Sequence, residues 1–167
     1  DNCSPDGTQD FIKSFSNLER EYIFSSYKNE MNIGAERNFG QGILRSQGEF
    51  TWLLSDDDTV HEDAIDHIYE SLYNNQEVGF CFVNFDLDPT IGVPAIKVDD
   101  NDVITRSVSE YISCTMFADS MISACIYRKA LLTENALTTM KEGPYEYMYW
   151  ILDTVRNHPA LVIQTPL

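Results

Sequence analysis

Residues 50–58, FTWLLSDDD, run from apolar side chains straight into three adjacent carboxylates, Asp56, Asp57 and Asp58. Like charges this close repel one another, so water, a helix start or a metal ion must offset the repulsion. A hard divalent cation suits such a group: one or two carboxylates hold it when a ligand's phosphates and water complete the shell. The alternative is local. Asp58 and Thr59 can cap a following helix, with Thr59 and Glu62 at capping-box spacing. Two other metal chemistries are excluded by spacing. His61 and His67 are six apart and do not share a helix face, which argues against Zn²⁺. Residues 99–110 begin and end acidic like a calcium loop, but Val103 and Ile104 occupy places that need an oxygen ligand and a glycine.

The chain that positions these groups has 167 residues, enough for one domain with one core. Its net charge of −16 argues against nucleic acid or an anionic membrane as partner, since both require basic patches. A phosphorylated ligand therefore needs a cation or local Arg and Lys. No apolar run approaches the roughly 20 residues that span a bilayer. Cys3, Cys81, Cys114 and Cys125 form no CxxC pair and read as free thiols of a reducing, cytoplasmic setting. The chain opens without Met or a preceding strand and stops as a strand ends, which reads as a fragment of a longer protein.

Apolar residues at Phe11, Ile12, Phe15, Leu18 and Tyr22 have helical spacing, with a short strand expected near residues 22–27. Phe39, Ile43 and Leu44 predict a helix stopped at Gly48. Phe50–Leu54 reads as a buried strand, and Ile65, Ile68, Tyr69 and Leu72 mark the next helix. Residues 78–85 read as a core strand, 86–101 as loop, and 121–127 as strand or buried helix. Residues 145–156 predict a helix ended by Pro159, before a last strand at 161–164. This alternation implies an α/β fold with a mostly parallel central sheet flanked by helices. Ligands of such sheets sit beyond the carboxyl ends of the strands, where Asp56–Asp58 and Asp1 are expected.

DNCSPDGT at residues 1–8, then NIGAERNFGQGILRSQGEFTWLLSDDD at 32–58, resemble the nucleotide-binding half of inverting family-two glycosyltransferases of the GT-A fold. WLLSDDD looks most like the branch of abequosyltransferase-like enzymes of bacterial surface polysaccharide biosynthesis. The resemblance covers about the first half of the chain, in order, and the second half only loosely. It implies a single GT-A-like domain over 1–167, lacking its first strand, with a nucleotide- and metal-binding half (1–85) and an acceptor half (86–167).

The same resemblance implies particular roles. Asp57 falls on the usual metal-ligand position of the family's D-x-D-D motif, beside Asp58, for Mg²⁺ or Mn²⁺. Ser55 replaces the motif's first Asp, a contact that Asp56 would then supply. Asp1 would accept from the nucleobase, Arg37 would help hold the nucleotide, and Asn32 falls within the nucleotide-binding pattern. An inverting transfer needs a carboxylate base, which the family supplies before a late helix. Tyr145 stands where that Asp would be, leaving Glu142 and Glu146 as the nearest candidates and Asp153 as a poorer one. Phe117, Tyr127, Tyr145, Tyr147, Tyr149 and Trp150 either stack on acceptor sugars or pack the core.

The expected activity is metal-dependent, inverting transfer of a sugar from a nucleotide diphosphate donor to a glycan or lipid-linked acceptor. A cytoplasmic location follows, at the inner face of the membrane if segments outside this chain provide peripheral association. The rivals are a metal-dependent nucleotidyl- or phosphotransferase and a catalytically silent nucleotide- or glycan-binding domain. Donor sugar, acceptor and oligomeric state have no signature in the sequence.

Overall fold

The computed structural model describes residues 1–16, 25–88, 90–99, 101–133, 137 and 145–167. Helix α1 (Thr8–Ser16) and α2 (Ala35–Arg45) precede strand β1 (Phe50–Trp52) and α3 (Ala64–Asn74). β2 (Phe80–Val83) runs into a small hairpin, β3 (Asp86–Asp88) and β4 (Val93–Pro94). β5 (Val103–Thr105), α4 (Val108–Thr115), β6 (Cys125–Arg128), α5 (Tyr147–Asn157) and β7 (Ala160–Ile163) complete the order.

The main sheet has five strands in the order β1-β6-β2-β7-β5. β1, β2 and β7 share one direction, whereas β6 and β5 run against them. The sheet is therefore mixed. Most strands point one way, yet β2–β7 is the one adjacent parallel pair among the described residues.

Every residue of β2 and β7 is buried, as expected of strands covered on both faces. Strand alternation sends Phe80 and Phe82 to one side and Cys81 and Val83 to the other. The first side packs against Ile43 of α2, Tyr111 of α4 and Trp150, Ile151 and Val155 of α5. The second packs against Ala64, Ile68 and Leu72 of α3. Ala64, Ile68 and Leu72 have i, i+4 spacing, as do Ile151 and Val155, so α3 and α5 each bury one helical stripe. At Gly40 of α2 a side chain would run into the backbone carbonyl of Leu137, so only glycine lets the helix seat this closely.

Several expectations shift. Residues 25–27 are not a strand, and residues 17–24 lie outside the described part. α2 ends at Arg45, ahead of Gly48, with the Ser46 hydroxyl donating to Ile43 O at 2.7 Å. Thr59 and Glu62 cap no helix. α3 begins at Ala64, because the His61 carbonyl first takes the Ala64 N–H in a turn. Ile65 and Tyr69 face solvent, and the buried row is Ala64, Ile68 and Leu72. The 86–101 loop contains the β3–β4 hairpin. All four cysteines are free. Burial pushes the Cys81 and Cys125 thiols up, so both stay protonated and inert near neutral pH. Among the described residues no helix is long and apolar enough to cross a membrane.

Candidate active site

β1, β2 and β7 end at one rim of the sheet, and β6, running the other way, begins there. The chain leaving β1 carries Asp56–Asp58, that leaving β2 carries Asn84 and Asp86, and that entering β6 carries Ser123. A cleft of about 310 Å³ at this rim is lined by Asp57, Asp58, His61, Asn84, Asp86 and Ser123, among others, down to Leu167 beyond β7. Asp56 is exposed and lies outside that lining.

Two serines fix the acidic loop. The Trp52 indole Nε1 donates to Ser123 O at 2.7 Å, and the Ser55 N–H donates to Ser123 Oγ at 2.9 Å. The Ser55 hydroxyl then donates to Asp57 Oδ1 at 2.5 Å. Ser55 thus orients the Asp57 carboxylate. Since α3 starts at Ala64 with Asp63 at its N-cap position, the three aspartates do not cap that helix.

Asn84 forms the floor. It is fully buried and its amide is saturated: Nδ2 donates to Ile96 O (3.2 Å) and Gln164 O (2.7 Å), and Oδ1 accepts from Phe85 N (3.0 Å) and Ile96 N (3.1 Å). It ties the exits of β2 and β7 to the chain after β4. Neither Asn84, Asp86 nor Ser123 stands out in the sequence. Asp86 follows the carboxyl end of β2, so the placement rule applied to Asp56–Asp58 would have found it.

The donor set fits a hard divalent cation. Asp57 and Asp58 offer carboxylate oxygens in one cleft, with Asp86 on the same lining. Among the described residues no three His, Cys, Asp or Glu side chains converge tightly enough to hold a metal by themselves.

Asp1 lines a different cleft, of about 580 Å³, with Tyr27, Asn38, Gly42 and Arg45. Its carboxylate accepts from Ser4 N at 2.9 Å and from the Gln9 side chain. The Arg45 guanidinium sits over the Tyr27 ring, 4.6 Å from its centroid, which makes Arg45 the cation of this cleft among the described residues. Asn32 is exposed, and its Oδ1 accepts from Asn2 Nδ2 and Gly34 N, both at 2.9 Å. These bonds join the first residues to the loop before α2, where Gly34 has a φ of 86°. Arg37 is exposed in the first turn of α2 and lines neither cleft.

Of the candidate bases, Glu142 lies outside the described residues, Glu146 occupies the N-cap position of α5, half-buried, and Asp153 is exposed further along that helix. Glu36 of α2 reaches the same place. Its carboxylate accepts from Tyr145 N at 2.9 Å and Tyr147 N at 3.4 Å, so the first turn of α5 is capped from another helix. Partial burial pushes the Glu36 carboxyl up, against the pull of those N–H groups.

Asp119 is also buried. Its Oδ2 accepts from the Tyr111 hydroxyl at 3.0 Å, whereas Oδ1 has no hydrogen-bond partner. Burial pushes its carboxyl above the usual range. A raised folded-state value means that the ionised form is disfavoured in the fold, so stability falls as pH rises through that value. Asp119→Asn is therefore expected to stabilise the chain by about 1 kcal/mol at pH 7. The gain should shrink toward pH 4, as urea titrations at the two pH values will show.

The description "Glycosyl transferase family 2" matches residues 1–131. Abequosyltransferase RfbV of Salmonella typhimurium is 26% identical over 81 residues, 48% of this chain and 24% of that protein. The matched stretch thus spans about a quarter of that relative's length. A mixed sheet with helices on both faces and acidic loops at its carboxyl rim fits the GT-A-like α/β fold. The chain belongs to glycosyl transferase family 2.

Proposed function

We propose that this domain transfers a sugar, with inversion and with a divalent metal, from a nucleoside diphosphate sugar to a glycan or lipid-linked acceptor, as a cytoplasmic step in bacterial surface polysaccharide assembly. The observation that supports the reading most is that Asp57, Asp58 and Asp86 line one cleft at the shared end of β1, β2 and β7. In this reading residues 1–85 form the donor half and 86–167 the acceptor half.

Asp57 and Asp58 would hold Mg²⁺ or Mn²⁺. The bound ion supplies charge neutralisation to a departing diphosphate, which a protein of net charge −16 would otherwise repel. Ser55 holds the Asp57 carboxylate toward that task, and Ser123 holds Ser55. A nucleoside diphosphate has its base and phosphates at opposite ends, so Asp1 and Arg45 are assigned the nucleoside end. Asn32 shapes the loop between them, and Asp56 and Arg37 contribute from the exposed rim. Glu142, or Glu146 at the N-cap position of α5, takes the proton from the acceptor hydroxyl during in-line attack.

The test is thermal-shift titration with Mn²⁺ and a panel of nucleoside diphosphates, with and without chelator. One nucleotide class should stabilise the protein only when metal is free. Equal stabilisation in chelator would end the metal reading. Stabilisation by nucleoside triphosphates alone, with phosphate or nucleotidyl transfer and no sugar transfer, would favour the phosphotransferase rival. Ser55→Ala should weaken Mn²⁺ in the same titration about 10-fold, at an unchanged melting temperature without ligand.

A further inference from the structure

His61 and His67, close together in the sequence, part company in the structure. His67 turns from α3 toward the chain before β5, where its Nε2 lies 3.5 Å from Asp102 Oδ2. The Ser71 hydroxyl donates to the same oxygen at 2.7 Å. His61 takes the other direction and lines the cleft of Asp57, Asp58 and Asp86. A turn sets it there: the His61 carbonyl accepts from Ala64 N at 3.1 Å, just ahead of α3. The residue is exposed, and its ring nitrogens have no hydrogen-bond or ion-pair partner among the described residues.

The charge balance of that cleft gives the ring a task. One divalent cation offsets two of the three carboxylates on the lining and leaves the third facing any phosphate that arrives. Lys or Arg is the ordinary counterweight, and among the described residues the lining has neither. Cations of the neighbouring elements are committed elsewhere. Arg128 Nε donates to Val78 O at 2.8 Å, Lys129 Nζ donates to Leu44 O at 3.0 Å, and Arg45 belongs to the other cleft. Among the described residues His61 is therefore the one basic side chain on the lining. An imidazole has an N–H to donate whether or not it is charged.

We infer that His61 is a catalytic residue that hydrogen-bonds the diphosphate of the sugar donor in the Asp57 cleft. This rests on the glycosyltransferase reading above. During transfer the acceptor oxygen bonds to the anomeric carbon as the bond from that carbon to the terminal phosphate oxygen breaks. The electron pair of the broken bond stays on the phosphate oxygen, and the acceptor's proton goes to the carboxylate base. An N–H donated to that phosphate oxygen binds more strongly as its charge develops, so the bond favours the transition state over the bound donor. His61 keeps its proton throughout. A role as a further ligand to the cation suits the ring less. Among the described residues no three His, Cys, Asp or Glu side chains are placed to hold one ion.

Binding of Mn²⁺, and of inorganic pyrophosphate in excess Mn²⁺, to the whole chain tests this by water-proton relaxation and calorimetry. Pyrophosphate offers the diphosphate without base or sugar, and a panel of nucleoside diphosphates runs beside it. His61→Ala should bind Mn²⁺ alone within about 2-fold of wild type but pyrophosphate about 10-fold more weakly, the cost of one charge-assisted hydrogen bond. His61→Gln, which retains an N–H donor, should recover about 3-fold of that loss. His67→Gln should bind both like wild type. Without ligand, both His61 variants should melt within about 1 °C of wild type, because the ring is exposed. Unchanged pyrophosphate binding in His61→Ala overturns the inference, and so does an equal loss in His67→Gln. A His61→Gln variant no better than alanine overturns the hydrogen bond. Loss of Mn²⁺ itself in His61→Ala overturns it in favour of a metal ligand. Nucleoside diphosphate binding that is indifferent to His61 removes His61 alone. A wild type that binds neither pyrophosphate nor any nucleoside diphosphate in Mn²⁺ removes the glycosyltransferase reading with it.

Discussion

Asp57→Ala is expected to abolish metal-dependent stabilisation by the preferred nucleoside diphosphate. A ligand at 100 times its Kd stabilises a protein by about 2.7 kcal/mol, which for a domain of this size is roughly 5–10 °C. All of that should disappear in the variant, while the unliganded melting temperature stays within a degree or two. Asp57 is exposed, and its bond to the Ser55 hydroxyl is at the surface, so its removal costs the fold little. If the ion stabilises the leaving diphosphate, kcat for sugar transfer should drop about 10²–10³-fold, the cost of removing one preorganised charge-stabilising group. Asp58→Ala should lose less, and Asp56→Ala least, since Asp56 lies outside the cleft lining. A variant of Asp57 that keeps full metal-dependent stabilisation would remove Asp57 from the site.

The second large effect concerns stability. Asn84→Asp keeps the shape of the side chain but loses both donors, and sets a carboxylate against the carbonyls of Ile96 and Gln164. A buried charge that keeps two N–H donors on one oxygen but turns the other against two acceptors should cost about 3–4 kcal/mol at pH 7. Asn84→Ala strands all four backbone groups, the two N–H donors as well as the two carbonyls, without adding charge and should cost about 2–3 kcal/mol. In urea the midpoint of the aspartate variant should fall by roughly 1–2 M. Lowering the pH should narrow the gap between the two variants, because the introduced carboxyl is easier to bury once protonated. An aspartate variant as stable as wild type would mean that the tie between the exits of β2 and β7 does not hold the rim together.

The helices and strands that flank the site were legible wherever one strong stripe of apolar residues marked them. β1, β2, α3 and α5 appear close to their expected places, and the acidic loop lies at the rim that strand direction predicts. Strand direction itself was not legible. β6 is buried over three of its four residues, and nothing in Cys125-Ile-Tyr-Arg128 says that it inserts antiparallel between β1 and β2. The helix cap was misplaced because Thr59 and Glu62 have the right spacing, while a turn at His61 delays α3 to Ala64. A true cap of the same form went unseen. The Ser107 side chain accepts from Glu110 N and starts α4, in residues weighed only as a calcium loop. For the site, residue type singled out Asp57 and Asp58 as candidates, and both line the rim cleft. It gave no sign of Ser123, Asn84 or Glu36, whose work is done by hydrogen bonds between segments far apart in the chain.

The place of β6 between β1 and β2 has a consequence for synthesis. Among the described residues β1 pairs with β6 alone, Thr51 opposite Tyr127. The acidic loop at the end of β1 therefore has no fixed seat while the nascent chain is shorter than about residue 128, and Ser123, which pins Ser55, arrives at the same moment. Closing a loop of that length is slow and gives no partial reward along the way. On a ribosome residues 1–85 cannot mature ahead of the residues that follow. A chain stalled or cut near residue 85 should emerge as a protease-sensitive species that binds neither metal nor nucleotide.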